Sequence, residues 1–251
     1  MKVVAIVQAR MSSSRLPGKV MMKLVNKPVL AHIVERLSYC KMIENIVVAT
    51  TTETSDDLVK DYCTNNKIDC YRGDLEDVLD RYYHAAKIYH ADPIVRITCD
   101  CPVIDPVVVD MIINGYLSGE YDCYGLGGKF PDGLDCTVYS FSALEKAWRE
   151  AKLKSEREHV GPYIEKNPNL FKNGSLELFQ NLDHHRWTLD VHDDYELLNK
   201  IFNALYRPDS PFLVNEILKF MQSNPTLLSI NNKVIRNEGY LESLKKDKIV
   251  K

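Results

Sequence analysis

The fold is decided near the N-terminus by the stretch Val3-Val4-Ala5-Ile6-Val7-Gln8-Ala9-Arg10-Met11-Ser12-Ser13-Ser14-Arg15-Leu16-Pro17-Gly18-Lys19. Its first five residues, Val3 to Val7, are apolar and mostly β-branched, which predicts a short strand buried on both faces. The chain then becomes polar, and Pro17 and Gly18 indicate a turn. We therefore expect a buried strand that ends in a polar loop.

Three basic residues, Arg10, Arg15 and Lys19, stand in this loop among small hydroxyl residues. Their side chains and the backbone N–H groups of the loop can converge on one polyanion. In open α/β sheets ligands bind beyond the carboxyl ends of the strands, which is where this loop would lie. The alternative is that the three cations are merely solvated, as on most surface loops. We expect the loop to bind the phosphates of a nucleoside triphosphate.

Two common nucleotide-binding patterns are not found in the sequence. Gly18-Lys19 is followed by Val20, and no glycine stands five residues before Gly18, so the loop is not the phosphate loop of ATPases. The segment Gly125-Leu126-Gly127-Gly128 is turn-rich and is soon followed by Pro131. It therefore does not fit the glycine fingerprint of dinucleotide-binding folds.

The loop resembles the nucleotide loop of the cytidylyltransferases that make CMP-activated acidic sugars, the CMP-Kdo and acylneuraminate synthetase superfamily. Within it, the chain is most similar to the spore coat polysaccharide biosynthesis protein F group. The stretches that carry the resemblance are residues 9–19, 26–30, 72–82, 96–105, 131–135, 156–160, 186–190 and 236–239. They span nearly the whole chain.

Strand and helix patterns alternate through the first half of the chain, which predicts a mainly parallel sheet with right-handed crossovers. Further strands are expected at residues 46–49, 68–71, 94–98, 136–139 and 187–191, and Asp74 is expected to cap a helix. The resemblance implies a three-layer, Rossmann-like α/β fold of the GT-A and nucleotidyltransferase type, with a mixed, mainly parallel sheet and helices on both faces. We expect one domain over residues 1–251, with a substrate or dimer insertion at about 118–180 and a helical tail at about 207–251.

The resemblance also implies a set of catalytic and nucleotide-binding residues. Asp100 and Asp190, each expected at the end of a strand, would hold Mg²⁺, and Arg10 and Lys19 would join them in catalysis. From residue types alone, Asp100 could equally cap a turn. The residues that would bind the co-substrate CTP are Ala9, Arg10, Ser13, Arg15, Lys19, Arg72, Gly73 and Asp77, although helix capping competes for Asp77.

The expected activity is transfer of CMP from CTP to an acidic sugar or a related hydroxy acid, with release of pyrophosphate. We expect Asp132, Asp135, Arg157 and His159 to bind this acceptor; its identity stays open among Kdo, a nonulosonic acid, a smaller hydroxy acid and a phosphorylated acid. The alternatives are a GT-A glycosyltransferase, a non-catalytic nucleotide-binding homologue and a transferase for another base. No D-x-D motif supports the glycosyltransferase.

Composition limits the partners. The 251 residues carry a formal net charge of -3, which gives no general attraction to nucleic acid. No apolar run is long enough to span a bilayer, and Met1-Lys2 leads straight into the first strand, so we expect a cytoplasmic protein without membrane insertion. Seven cysteines without C-x-x-C spacing favour a reducing compartment over a zinc site. The polar C-terminal tail suggests packing on a partner subunit, and we expect a homodimer.

Overall fold

The computed structural model of the protein describes residues 1–250. The strands are β1 (Val4–Gln8), β2 (Lys23–Leu24), β3 (Lys27–Pro28), β4 (Asn45–Thr51), β5 (Asp69–Gly73), β6 (Ile94–Thr98), β7 (Cys123–Leu126), β8 (Cys136–Tyr139) and β9 (Asn173–Leu176). The helices are α1 (Val29–Leu37), α2 (Asp57–Asn65), α3 (Val78–Ile88), α4 (Pro106–Ser118), α5 (Phe141–Glu150), α6 (Lys154–His159), α7 (Pro162–Lys166), α8 (His192–Leu205), α9 (Val214–Ser223) and α10 (Glu238–Lys245).

Seven strands form one sheet in the order β5-β4-β1-β6-β8-β7-β9, and β2 pairs with β3 separately. The strands β5, β4, β1 and β6 run parallel to one another, while β8 is antiparallel to both β6 and β7. The carboxyl end of β1 therefore lies between the carboxyl ends of β4 and β6. The predicted mixed, mainly parallel sheet is confirmed.

The first strand shows why the sheet is covered on both sides. Ala5 and Val7 point into one hydrophobic core, Val4 and Ile6 point into the other, and all four are fully buried. The first core is closed by α1, α2, α4, α8 and α9, and the second by α3, α5 and α7. Alternating apolar residues on a strand with two buried faces produce the predicted three-layer arrangement.

Two local predictions were wrong. Residues 187–191 do not form a strand, because their backbone bonds go to two separate turns: Trp187 N–H donates to Asp132 O (2.7 Å), and Leu189 N–H donates to Asp100 O (2.8 Å). The N-cap of α3 is Asp77 and not Asp74. Asp77 accepts from the N–H of Asp80, whereas Asp74 caps the preceding turn by accepting from the N–H groups of Glu76 and Asp77.

The expected substrate or dimer insertion and the C-terminal tail, which we expected to pack on a partner subunit, both contact the rest of this chain. Residues 118–180 contribute β7, β8 and β9 to the main sheet. Residues 236–250, here called the C-terminal strap, cross back over the carboxyl end of the sheet and hydrogen-bond to residues 152–155. Within residues 1–250, no helix is long and apolar enough to cross a membrane.

Candidate active site

The loop after β1 is held by a buried carboxylate and a left-handed glycine. Asp56 is fully buried; it accepts from the N–H of Met11 at 2.6 Å and from the hydroxyl of Thr51. Gly18 has φ +74°, and its N–H closes the loop onto Met11 O at 2.8 Å. These contacts turn the chain back towards the sheet, so Lys19 lies over the strand ends.

The Lys19 ammonium joins the two predicted metal ligands. Its Nζ lies 3.1 Å from Asp100 Oδ2 and 2.7 Å from Asp190 Oδ1. Burial opposes ionisation of Asp100, but the Lys19 charge prevails and lowers the pKa of Asp100 to about 2. Burial likewise opposes the charge on Lys19, yet the two carboxylates raise its pKa. Asp100 and Lys19 are therefore both charged, and the ammonium lies between the two carboxylates.

A second cation, Arg186, fixes the position of Asp190. Its guanidinium contacts Asp132 (2.7 Å), Asp190 (3.3 Å) and the fully buried Asp194 (2.9 Å). Asp194 also accepts from the backbone N–H groups of Asp190 and Val191 at the start of α8. The Asp190 carboxylate is thus held although its segment is not in a strand.

Gly133 allows the turn around Asp132 to approach the backbone of Trp187 and Thr188 closely. Its φ is +104°, and a Cβ at this position would lie 2.6 Å from the carbonyl carbon of Trp187 and 2.7 Å from the nitrogen of Thr188. Only glycine avoids both the backbone strain and the collision. The turn around Asp132 can therefore lie directly against the segment that carries Asp190.

These groups face a cavity of about 900 Å³ at the carboxyl ends of β1 and β6. The C-terminal strap forms one wall, where Glu238 lies 2.6 Å from Arg15 and the ring of Tyr240 packs on His159. A cleft of this size at this edge of an α/β sheet is a typical ligand site.

Several polar atoms of the cavity-lining residues are buried and have no hydrogen-bond partner within residues 1–250. They are Gln8 Oε1, Arg81 Nε and Nη1, Arg96 Nε, and His159 Nε2. Leaving such atoms unpaired is costly, especially on a charged guanidinium. The cavity is therefore built for a polar ligand with negative charge.

The structure brings most of the predicted site residues to this cavity. Those that line it are Ala9, Arg10, Ser13, Arg15, Lys19, Asp100, Asp132, Asp135, His159 and Asp190. Four predicted residues do not line it, namely Arg72, Gly73, Asp77 and Arg157.

Arg157 and Asp77 bind each other instead of a ligand. Arg157 is 3% exposed; its Nη2 and Nε lie 2.5 and 3.0 Å from the Asp77 carboxylate, and its Nη1 donates to Trp148 O. These contacts occupy the guanidinium, so its placement contradicts the predicted binding of the acceptor. Arg72 is likewise engaged, by Asp57, Thr51 O and Glu53 O, and Gly73 lies under the side chain of Arg81.

Sequence reasoning missed three arginines of the cavity, Arg81, Arg96 and Arg186. Arg186 and Arg96 lie inside stretches that we had quoted without assigning them a role. The signal at Arg96 was a single charge within the apolar run Ile94-Val95-Arg96-Ile97. A charge in the middle of a buried strand requires a partner, and this strand supplies none.

The donors present fit a divalent cation that is shared with a bound phosphate. Among residues 1–250, no group of three or more His, Cys, Asp or Glu side chains could hold a metal ion alone. Asp100 and Asp190, however, already share one cation, the Lys19 ammonium. One or two carboxylates completed by substrate phosphates are the usual environment of Mg²⁺.

Comparison with known proteins agrees with this geometry. The family profile described as "Cytidylyltransferase" matches residues 4–234. The chain is 39% identical over 247 residues to an uncharacterized protein of Methanocaldococcus jannaschii, covering 96% of this chain and 99% of the relative. It is 31% identical over 228 residues to the spore coat polysaccharide biosynthesis protein SpsF of Bacillus subtilis, covering 88% and 94%.

Two further matches extend the comparison. Over 113 residues, 45% of this chain and 44% of the relative, the identity to the 3-deoxy-manno-octulosonate cytidylyltransferase of Geobacter metallireducens is 31%. A solved cytidylyltransferase from Leptospira borgpetersenii superposes with a TM-score of 0.87 at 34% identity, covering 94% of this chain and 99% of that one. The resemblance stated from the sequence is confirmed.

Proposed function

Because the chain belongs to the cytidylyltransferase family, we propose that it transfers CMP from CTP to an acidic sugar or a related hydroxy acid and releases pyrophosphate. The observation that carries this proposal is the pair of carboxylates, Asp100 and Asp190, held by Lys19 beside the cationic loop. This arrangement joins a triphosphate site to a cation site at one edge of the sheet. The relatives named for polysaccharide biosynthesis and for octulosonate transfer support the class of acceptor.

The reaction requires that the acceptor hydroxyl be aligned with the α-phosphorus of CTP and that the negative charge on the phosphates be stabilised. The acceptor hydroxyl oxygen bonds to the α-phosphorus of CTP while the bond to the bridging oxygen of pyrophosphate breaks. The hydroxyl proton passes to solvent. Arg10, Arg15 and Lys19 stabilise the charge that collects on the phosphoryl oxygens and on the leaving pyrophosphate.

Asp100 and Asp190 would hold Mg²⁺, which supplies further neutralisation of the phosphates when it is bound. Within the protein, Arg186 and Asp194 keep Asp190 in place, and Asp132 belongs to the same ion-pair network. Asp132 and Asp135 would contact hydroxyl groups of the acceptor, because both line the cavity next to this network. The homodimer and the cytoplasmic location stay predictions.

A pyrophosphate-release screen tests the proposal. The purified protein with Mg²⁺ is offered CTP, UTP, ATP or GTP together with Kdo, N-acetylneuraminate or small hydroxy acids. We expect release with CTP and at least one acid. Release with another nucleotide alone would identify another base, and the absence of release with all combinations would contradict the proposed function. Sugar transfer from a UDP-sugar would point to the glycosyltransferase alternative.

A further inference from the structure

The side chains of two arginines of the cavity lack a direct partner. Within residues 1–250, the guanidinium groups of Arg81 and Arg96 make no hydrogen bond and no ion pair. Arg81 is only 2% exposed, and the Nε of Arg96 is buried. Burial lowers the pKa of Arg81; burial also opposes the charge on Arg96, but nearby groups that include Asp100 and Asp135 raise its pKa. On both side chains, buried N–H groups have no acceptor, which is costly unless a ligand provides one. Each arginine therefore indicates a position for an anionic group.

The two arginines stand on different elements of the cavity wall. Arg81 belongs to α3, its Cγ packs over Gly73, and the Arg10 charge acts on it. It lies on the side of the nucleotide loop. Arg96 is in the middle of β6, opposite Ile6 of β1 on one side and Thr137 of β8 on the other. Its charge acts on Asp135 of the neighbouring turn and on His159.

The direction of the reaction assigns Arg96 to the acceptor. In an in-line displacement the attacking oxygen and the leaving pyrophosphate lie on opposite sides of the α-phosphorus. The pyrophosphate belongs with Arg10, Arg15 and Lys19 on the loop after β1. The acceptor must then approach from the side of β6 and β8, where Arg96 lies two residues before Thr98 on the same face of the strand.

Two neighbouring groups complete a binding site there. Gln8 ends β1 beside Thr98, and its Oε1 has no partner. His159 Nε2 is buried and also unpaired. Because burial lowers the pKa of His159 although Glu158 raises it, the imidazole is neutral near pH 7. A neutral ring can exchange a hydrogen bond with a hydroxyl group and does not duplicate the charge of Arg96.

The backbone that follows His159 is strained. Val160 is fully buried and has φ +69° and ψ -59°, and the N–H of Gly161 reaches back to His159 O at 2.8 Å. This is the less common and strained form of the γ-turn, and β-branched residues rarely adopt a positive φ. Strain of this kind is concentrated at binding sites, where the surrounding fold enforces it. Here it ends α6 with His159 at the cavity.

We propose that Arg96, with Gln8 and His159, binds the carboxylate of the acceptor and selects acids over neutral sugars. The planar guanidinium offers two parallel N–H groups to a carboxylate, which lysine cannot reproduce. This inference rests on the proposed function and assigns to Arg96 the role that the sequence had suggested for Arg157.

Steady-state kinetics with Kdo, N-acetylneuraminate and the methyl ester of each acid test the inference. For whichever acid the wild type accepts, we expect Arg96→Lys and Arg96→Gln to raise its KM about 10- to 100-fold. The kcat and the KM for CTP should change little, because a contact present in both the ground state and the transition state affects KM alone. The wild type should turn over the methyl ester poorly, and the variants should discriminate less between ester and acid.

Arg81→Gln is the matched control, since it also removes an unpaired arginine from the cavity. We expect it to raise the KM for CTP and to leave the KM for the acid unchanged. Thermal unfolding checks the fold of all variants. Removing an unpaired buried charge should leave Tm unchanged or raise it, and a large fall in Tm would mean that Arg96 is structural.

The outcomes separate this inference from the function on which it rests. Suppose that the wild type turns over an acid and that both Arg96 variants have a KM for it within twofold of the wild-type value. This result would overturn the role of Arg96 and leave the proposed function intact. If no acid yields pyrophosphate from CTP although calorimetry shows that CTP binds, the proposed acceptor class and this inference both fail. If CTP does not bind, the nucleotide assignment fails as well.

Discussion

Lys19 contacts Asp100 and Asp190 with a single ammonium group, and this contact sets the charge balance of the cavity. Asp190 is also within 3.0 Å of Arg15 and 3.3 Å of Arg186. The two aspartates therefore differ: Asp190 has several cationic partners, whereas Lys19 is the ion-pair partner of Asp100 within residues 1–250. Replacing either acid changes the charge of the cavity without removing a large apolar contact.

We expect Asp100→Asn and Asp190→Asn each to lower kcat by about 100-fold or more while the protein remains folded, because the charge that stabilises the transition state is lost. Pyrophosphate release at saturating CTP measures this effect. Asp193→Asn is the matched control, since Asp193 is exposed in the first turn of α8. Wild-type kcat in the Asp100 or Asp190 variant would show that the acid takes no part in the reaction.

Asp100 also predicts a dependence of stability on pH. Its pKa is about 2 in the folded protein, below the value of about 3.9 for an unfolded chain. Its contribution, about 2–3 kcal/mol, is therefore complete above about pH 5 and is mostly lost as the pH falls to 2.

Urea unfolding of the wild type and of Asp100→Asn between pH 5 and pH 2 measures this contribution. The wild type should lose about 2 kcal/mol more than the variant over this range. A constant difference between the two proteins would show that the Lys19 contact does not hold Asp100 in its charged form.

At the scale of elements, the Arg157–Asp77 ion pair ties α6 to the start of α3. Asp77 serves two purposes, because it caps α3 and accepts from Arg157. The same contact explains why a residue chosen for its chemistry proved to be structural. The helix that carries His159 is positioned by this pair.

We expect Arg157→Lys to lower the free energy of unfolding by about 2–4 kcal/mol, because lysine cannot satisfy both Asp77 and Trp148 O. The KM for the acceptor should rise less than in Arg96→Lys, because Arg157 does not line the cavity and acts on it only through the position of α6. Arg149→Lys is the control: Arg149 pairs with Glu145 on the exposed face of α5, and its replacement should cost less than about 0.5 kcal/mol. A higher KM for the acceptor together with an unchanged free energy of unfolding would show that Arg157 binds the acceptor.

The turn at Gly133 offers a second test at this scale. Gly133→Ala should destabilise the protein by several kcal/mol, because the new methyl group meets the backbone of Trp187 and Thr188 at a positive φ. Gly239→Ala is the matched control, since Arg15 Nη2 is 3.9 Å from its added Cβ. Thermal unfolding compares the two proteins. Equal Tm values would contradict the close approach at Gly133.

At the scale of the whole molecule, the sequence predicted the features that depend on residues close together in the chain. The β-branched run before the loop specified β1, and the alternation of strands and helices specified a parallel sheet. The strand prediction for residues 187–191 was wrong because this extended segment hydrogen-bonds to two separate turns and not to a neighbouring strand. Whether an extended segment becomes a strand depends on hydrogen-bond partners that are distant in sequence. The residue pattern of the segment itself does not identify those partners.

The candidate site followed the same rule. The loop cations and the strand-end carboxylate Asp100 could be placed at the sheet edge from position within their own segments. Asp190 was assigned through the family resemblance, and its segment is not a strand. The pairing of Arg157 with Asp77 could not be predicted, since it depends on how α6 docks on α3. The guanidinium groups of Arg96 and Arg81 are distinguished because they make no hydrogen bond and no ion pair within residues 1–250, which is a property of the assembled cavity.

The contact between Arg15 and Glu238 of the C-terminal strap has a kinetic consequence. If Arg15 binds the nucleotide as proposed, a phosphate of CTP competes with the Glu238 carboxylate for the same guanidinium, and each turnover would include an exchange of anions at the cavity wall. On this proposal, departure of pyrophosphate would require the strap to move through solvent. In the wild type, kcat should fall as sucrose raises the viscosity of the medium. Glu238→Gln removes the competing negative charge, so kcat of this variant should depend less on viscosity.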